Sequence, residues 1–163
     1  MKKVLIIGIG NEYRNDDAIG LLVIEDLKNM GIPDVVFMKS RGDYVEIAEK
    51  CQSFDKIIMI DSVFSGSKPG TIFELDSEEL MKTKISFPKY SSHDFSIVDF
   101  LKTSEIMQIP IDKIKFFGIE GESFGFGTKI SEPVMRAARQ VKEKIIYYFQ
   151  KLRKSENIEC VFR

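Results

Sequence analysis

Residues 4–9, Val4-Leu5-Ile6-Ile7-Gly8-Ile9, form an unbroken apolar run rich in β-branched side chains and closed by Gly10. A strand with one wet face alternates apolar and polar residues, so a run without a polar position predicts a strand covered on both faces, as in a parallel sheet. The same signature returns at Lys56-Ile57-Ile58-Met59-Ile60-Asp61, which ends in an acid, and at Ile114 to Ile119, with a shorter stretch at Val35 to Met38. Helical patterns lie between these runs. Ala18, Ile19, Leu21, Leu22, Ile24, Leu27 and Met30 make a stripe behind Asp16 and Asp17 and ahead of Gly31-Ile32-Pro33; Tyr44 to Cys51 and a long segment from Glu132 to Leu152 follow. Strands that alternate with helices in this way specify a three-layer α/β/α fold with a mostly parallel, twisted central sheet.

Smaller elements complete the pattern. Ser65-Gly66-Ser67-Lys68-Pro69-Gly70 is dense in turn residues, so Thr71 to Leu75 reads as an edge strand or hairpin return and Asp76 to Met81 as a short helix. Ser91 with Asp94 three residues later resembles a capping box, which would set His93 at a helix N-terminus ahead of Phe95, Ile97, Val98, Phe100 and Leu101. A chain of 163 residues with 44% apolar content forms one domain without strain. We expect that domain to span residues 1–154, with a loosely held tail at 155–163.

Twenty-four Lys and Arg against 25 Asp and Glu leave a net charge of -1, so there is no global positive field to attract nucleic acid. The N-terminal apolar run is too short for a signal sequence or a membrane span, and a cytoplasmic location is expected. Cys51 and Cys160 form no C-x-x-C pair, which argues against a disulfide framework and a thiolate metal site. With His93 as the single histidine, any metal would be held mainly by carboxylates.

Four places could carry chemistry. Gly8, Gly10 and Asn11 at the end of the first strand would let backbone approach a ligand, or would serve only a tight strand-to-helix turn. A dinucleotide fingerprint would need glycine where Tyr13 stands, and the following acids would repel a pyrophosphate. Asp16 and Asp17 are adjacent, and successive helical side chains diverge by roughly 100°. Both cannot serve the helix cap and both face a cleft, so a division of roles is expected. Asp61 closes an apolar strand on the side where open parallel sheets bind ligands, and it joins Asp17 there if the first and third strands are neighbours; the alternative is a cap on Ser62 or a nearby amide. His93 at a helix N-terminus would be kept neutral and able to offer a lone pair to a metal. Two oxygens and one nitrogen from distant loops would hold an ion weakly and share it readily. The loop Gly121 to Gly127 reads equally as turn backbone or as a cleft wall. The basic, aromatic segment Lys142 to Lys154 reads as a packed helical stripe with a solvated face.

Taken together, Gly8-Ile9-Gly10-Asn11, Asp16-Asp17-Ala18-Ile19-Gly20, Ile60-Asp61 and Ser92-His93, in that order, resemble the maturation endopeptidases of nickel-iron hydrogenases. Phe117-Gly118-Ile119, Phe124-Gly125 and Ile130-Ser131-Glu132-Pro133-Val134 extend the likeness over about positions 3 to 150. The resemblance implies a late proteolytic step in hydrogenase assembly, removing a C-terminal extension from the large-subunit precursor once nickel is inserted. It carries the family's metal-contacting acid, acid and histidine onto Asp17, Asp61 and His93, which would act as the catalytic residues on nickel carried by the substrate, without an organic cofactor. Gly8, Gly10, Asn11 and Gly42 would lie along the bound precursor. The segment Lys39-Ser40-Arg41-Gly42-Asp43 departs from the family, which shows an acid, glycines and Thr or Ser there; the departure bears on which precursor is taken. Two rival classes use parts of the same set: a non-catalytic nickel-binding chaperone or sensor would use the three metal-contacting residues, and a nucleotide-binding module would use Gly8 and Gly10.

Overall fold

A computed structural model describes residues 2–83, 85–87, 96–106 and 108–161, with side chains through residue 155. The apolar runs form the centre of a five-stranded sheet ordered β2-β1-β3-β5-β4, with β1 at Val4–Ile9, β2 at Val35–Ser40, β3 at Lys56–Val63, β4 at Ile72–Asp76 and β5 at Ile114–Glu120. The first four strands in that order run parallel, and β4 returns antiparallel along β5 as the expected edge strand. Both faces are covered. Val4, Ile6, Ile58, Ile60, Phe117 and Ile119 pack on one side against α1, Ile19–Asn29, and α5, Glu132–Val161. Leu5, Ile7, Ile57, Met59 and Phe116 pack on the other against α2, Tyr44–Cys51, α3, Ser77–Lys82, and α4, Ile97–Ile106. The three-layer α/β/α architecture is therefore present, and it explains why β1, and β3 from Ile57 to Ile60, carry only apolar residues.

Two boundaries differ from expectation. The last helix continues beyond Leu152 to Val161, into the segment expected as a tail. Its buried stripe, Val141, Ile145 and Phe149, has the four-residue spacing predicted, with Tyr147 exposed. The helix α4 opens at Ile97, capped by Ser96 and Asp99: the Ser96 hydroxyl and amide donate to Asp99 Oδ2 at 2.6 and 3.0 Å, and the Asp99 amide donates back to Ser96 Oγ at 3.2 Å. The cap read at Ser91 and Asp94 lies outside the described residues, as does His93.

Candidate active site

β1 leads to β2 on one side and pairs with β3 on the other, so the sheet's topological switch falls between β1 and β3. Their pairing ends at Gly8 opposite Ile60, leaving the carboxyl end of β3 uncovered on that side. A 3-10 turn, Asn15–Ala18, drops into this position ahead of α1. It can come so close because Gly8, Gly10 and Gly20 lack side chains. A Cβ on Gly8 would sit 2.2 Å from the Gly20 carbonyl oxygen, and one on Gly10, where φ is 154°, would sit 1.9 Å from the Asp17 carbonyl oxygen. These glycines thus serve the close packing of strand, turn and helix.

The adjacent acids divide their roles. Asp16 is fully buried and turns toward the loop after β5: its carboxylate accepts from the amides of Glu122, Ser123 and Ser131 at 2.8, 2.9 and 2.6 Å and from the Ser131 hydroxyl at 2.7 Å. Asn15 reinforces this seam through its amide to the Gly127 carbonyl and its side-chain amide to Ser123 Oγ, both at 3.0 Å. Asp17 turns the other way, toward β3, where the Ser62 hydroxyl donates to its Oδ1 at 2.7 Å. Asp61, next along β3, accepts from the Ser62 amide at 2.7 Å. Both acids are 6% exposed. Burial, then the Asp17 charge, raises the Asp61 carboxyl well above the ordinary range for an aspartate; the Ser62 amide opposes the shift.

Tyr44, the first residue of α2, stacks on Phe100 with ring centroids 5.5 Å apart. Burial and the charges of Asp61, Asp99 and Asp17 raise its phenol above the usual value, so it stays protonated beside the acids. Gly42 lies just ahead at the half-exposed rim with φ of 93°, and a Cβ there would meet only the Tyr44 ring, 3.8 Å away. Asn11 holds the same rim through Oδ1, which accepts from the Tyr13 amide at 3.0 Å. Exposed aromatic side chains, Tyr13, Phe64 and Phe126, stand on the loops that follow β1, β3 and β5.

The structure thus brings Asp17 and Asp61 together around one serine, and places Gly8 and Gly10 in the packing beneath them, with Asn11 and Gly42 at the rim. No group of three acid, histidine or cysteine side chains able to hold an ion occurs among the described residues, which do not include His93. Sequence reasoning passed over three residues of this edge. Ser62 was visible only as a group for Asp61 to cap, which its amide is, and Tyr44 only as the start of a helix. Glu120 carried a usable signal, because it ends an apolar strand as Asp61 does. It is buried, and its carboxylate accepts from the Ser65 amide and hydroxyl and the Gly66 amide at 2.7 to 3.0 Å, which fixes the loop after β3.

These features define an α/β protein with a buried acid pair at the switch point of a mostly parallel sheet. The sequence model of the hydrogenase maturation protease family matches residues 23–147, and the chain belongs to that family of proteases. A Methanocaldococcus jannaschii protein named for the same family is 31% identical over 153 residues, covering 89% of this chain and 95% of its own length. The hydrogenase 2 maturation protease of Escherichia coli is 28% identical over 124 residues, or 74% of each chain. Among solved structures, the Escherichia coli maturating endopeptidase HybD superposes with a TM-score of 0.75 at 22% identity, covering 91% of this chain and 93% of that one. At that identity the likeness shows the fold. No helix among the described residues is long and apolar enough to cross a membrane.

Proposed function

We propose that this protease removes the C-terminal extension from the nickel-loaded precursor of a nickel-iron hydrogenase large subunit, with Asp17, Asp61 and His93 meeting the nickel that the precursor carries. The observation that carries the reading is the convergence of Asp17 and Asp61 on Ser62 at the open carboxyl end of β3. Residues 45 positions apart meet there, at the place where an open parallel sheet receives ligands. Two carboxyls with unlike surroundings suit general acid–base hydrolysis of a peptide. A carboxylate at this edge can accept a proton from the attacking water and pass it to the leaving amine as the peptide C–N bond breaks. Nickel on the substrate would align the scissile peptide with that pair and polarise its carbonyl. An aspartyl-type hydrolysis, in the cytoplasm where hydrogenase precursors assemble, belongs to the same proposal.

The test is cleavage of nickel-loaded and nickel-free precursor, followed by mass, with wild type, Asp17→Asn, Asp61→Asn and His93→Ala. Shortening of the loaded precursor by wild type and its loss in the variants is expected. Undiminished cleavage by all three variants sinks the assignment, and tight nickel binding without any shortening points to the chaperone reading.

A further inference from the structure

Ser62 is fully buried and hydrogen-bonds both acids of the site. Its two donors come from different parts of the residue. The amide, fixed by the strand, holds Asp61 Oδ1 at 2.7 Å, and the hydroxyl holds Asp17 Oδ1 at 2.7 Å. Asp17 arrives from a 3-10 turn on the opposite side of the switch point, so this hydroxyl ties the turn's acid to the strand's acid. Two acids placed side by side disfavour each other's charge, and a residue that donates to both favours one arrangement of the pair. A serine between them sets the distance and orientation of the pair before any substrate arrives, which is the kind of supporting contact that preorganised sites depend on.

We propose that Ser62 is a positioning residue for the cleavage, holding Asp17 in register with Asp61 through its hydroxyl. This rests on the proteolytic reading above. The hydroxyl does not face the precursor, because Ser62 has no exposed surface. Its removal should therefore act through Asp17, on the chemical step and on the meeting with nickel, and not through a lost contact with the precursor. Ser62→Ala removes the donor at little change in volume; Ser62→Thr restores it with one extra methyl on a β-strand, where β-branching is tolerated.

Steady-state cleavage of the nickel-loaded precursor tests this, with thermal unfolding of each variant in parallel. Ser62→Ala should lose at least about tenfold in kcat, the worth of one charge-assisted hydrogen bond. Ser62→Thr should recover most of kcat. If the alanine variant does not fold, Ser62→Cys, close in volume and a poor donor, takes its place with the same expectation. An alanine or cysteine variant with wild-type kcat overturns the proposal, as does a threonine variant that melts like wild type yet is impaired as deeply as alanine. A wild type that leaves every nickel-loaded precursor uncut overturns the proteolytic reading itself, an outcome distinct from an active wild type beside an equally active Ser62→Ala.

Discussion

Replacing Asp16 with alanine tests whether the two acids of the 3-10 turn have separate duties. The Asp16 carboxylate is the acceptor for three backbone amides, those of Glu122, Ser123 and Ser131, and for the Ser131 hydroxyl. The hydroxyl can rotate to another acceptor, but the amides cannot. Leaving three such donors without a partner costs about 1 to 3 kcal/mol each, or about 3 to 9 kcal/mol in all. The upper part of that range is out of reach, because the loop after β5 can detach while the sheet stays folded, and the free energy of that local opening caps the loss. We expect Asp16→Ala to cost about 3 to 5 kcal/mol by urea unfolding, against about 1 kcal/mol for Ser131→Ala, which removes the hydroxyl alone. Amide hydrogen exchange gives the sharper readout: Glu122, Ser123 and Ser131 should lose protection together, while β1 and β3 keep theirs. A variant within about 0.5 kcal/mol of wild type, with those three amides still protected, refutes the assignment of Asp16 as the anchor of this loop.

Asp61 should weaken the fold at neutral pH. Its folded pKa lies above the unfolded value, so it costs nothing below the unfolded pKa, and the penalty grows as pH rises toward the folded one. Asp61→Asn, which keeps an acceptor for the Ser62 amide, should be more stable than wild type at pH 7 and equal to it at pH 3; a difference that does not change between those values refutes the assignment. Gly8→Ala should destabilise by about 3 kcal/mol, because its Cβ would meet the Gly20 carbonyl oxygen at 2.2 Å and Ile24 Cγ1 at 2.4 Å. Gly42→Ala makes only an ordinary contact with the Tyr44 ring at 3.8 Å and, at φ of 93°, should cost only about 1 kcal/mol in backbone strain, so equal urea midpoints for the two variants would contradict the packing role given to Gly8. Burial raises the Cys51 thiol to about 12, so in a Cys160→Ser background it should resist a thiol reagent at pH 8 until denaturant is added; rapid labelling of the native protein would show that α2 opens.

The strands were legible because burial on both faces leaves no room for a polar residue, a constraint written in consecutive positions. The edge strand was legible for the opposite reason, since Ser65 to Gly70 supplies a turn and β4 keeps polar residues at Glu74 and Asp76. Caps were less so. Ser91 with Asp94 and Ser96 with Asp99 share one spacing; Ser96 with Asp99 caps the helix that opens at Ile97, and the other pair lies outside the described residues. Contacts that span the chain left no local trace. The hydrogen bonds of Asp16 reach across 106 to 115 positions, and the one from Ser62 to Asp17 across 45.

The geometry of the turn foretold that the two acids would part, but not where Asp16 would go: the helix cap expected for one of them is absent, since neither the turn nor α1 has a side-chain cap. Adjacent side chains in a helical turn cannot point the same way, so two neighbouring acids had to serve two places. What the helix period could not supply was the reason for two. Asp16 satisfies amides on a loop that would otherwise drift from the site, and Asp17 is thereby fixed in the opposite direction, over β3. The anchor and the site acid share a peptide bond. A substitution at Asp16 that frees the turn would therefore move Asp17 as well, which gives Asp16 an influence on cleavage without any contact with the precursor. Asp16→Asn should consequently lower kcat in step with the loss of protection at Ser123, and full activity in a variant whose loop has opened would show that the two acids are mechanically independent.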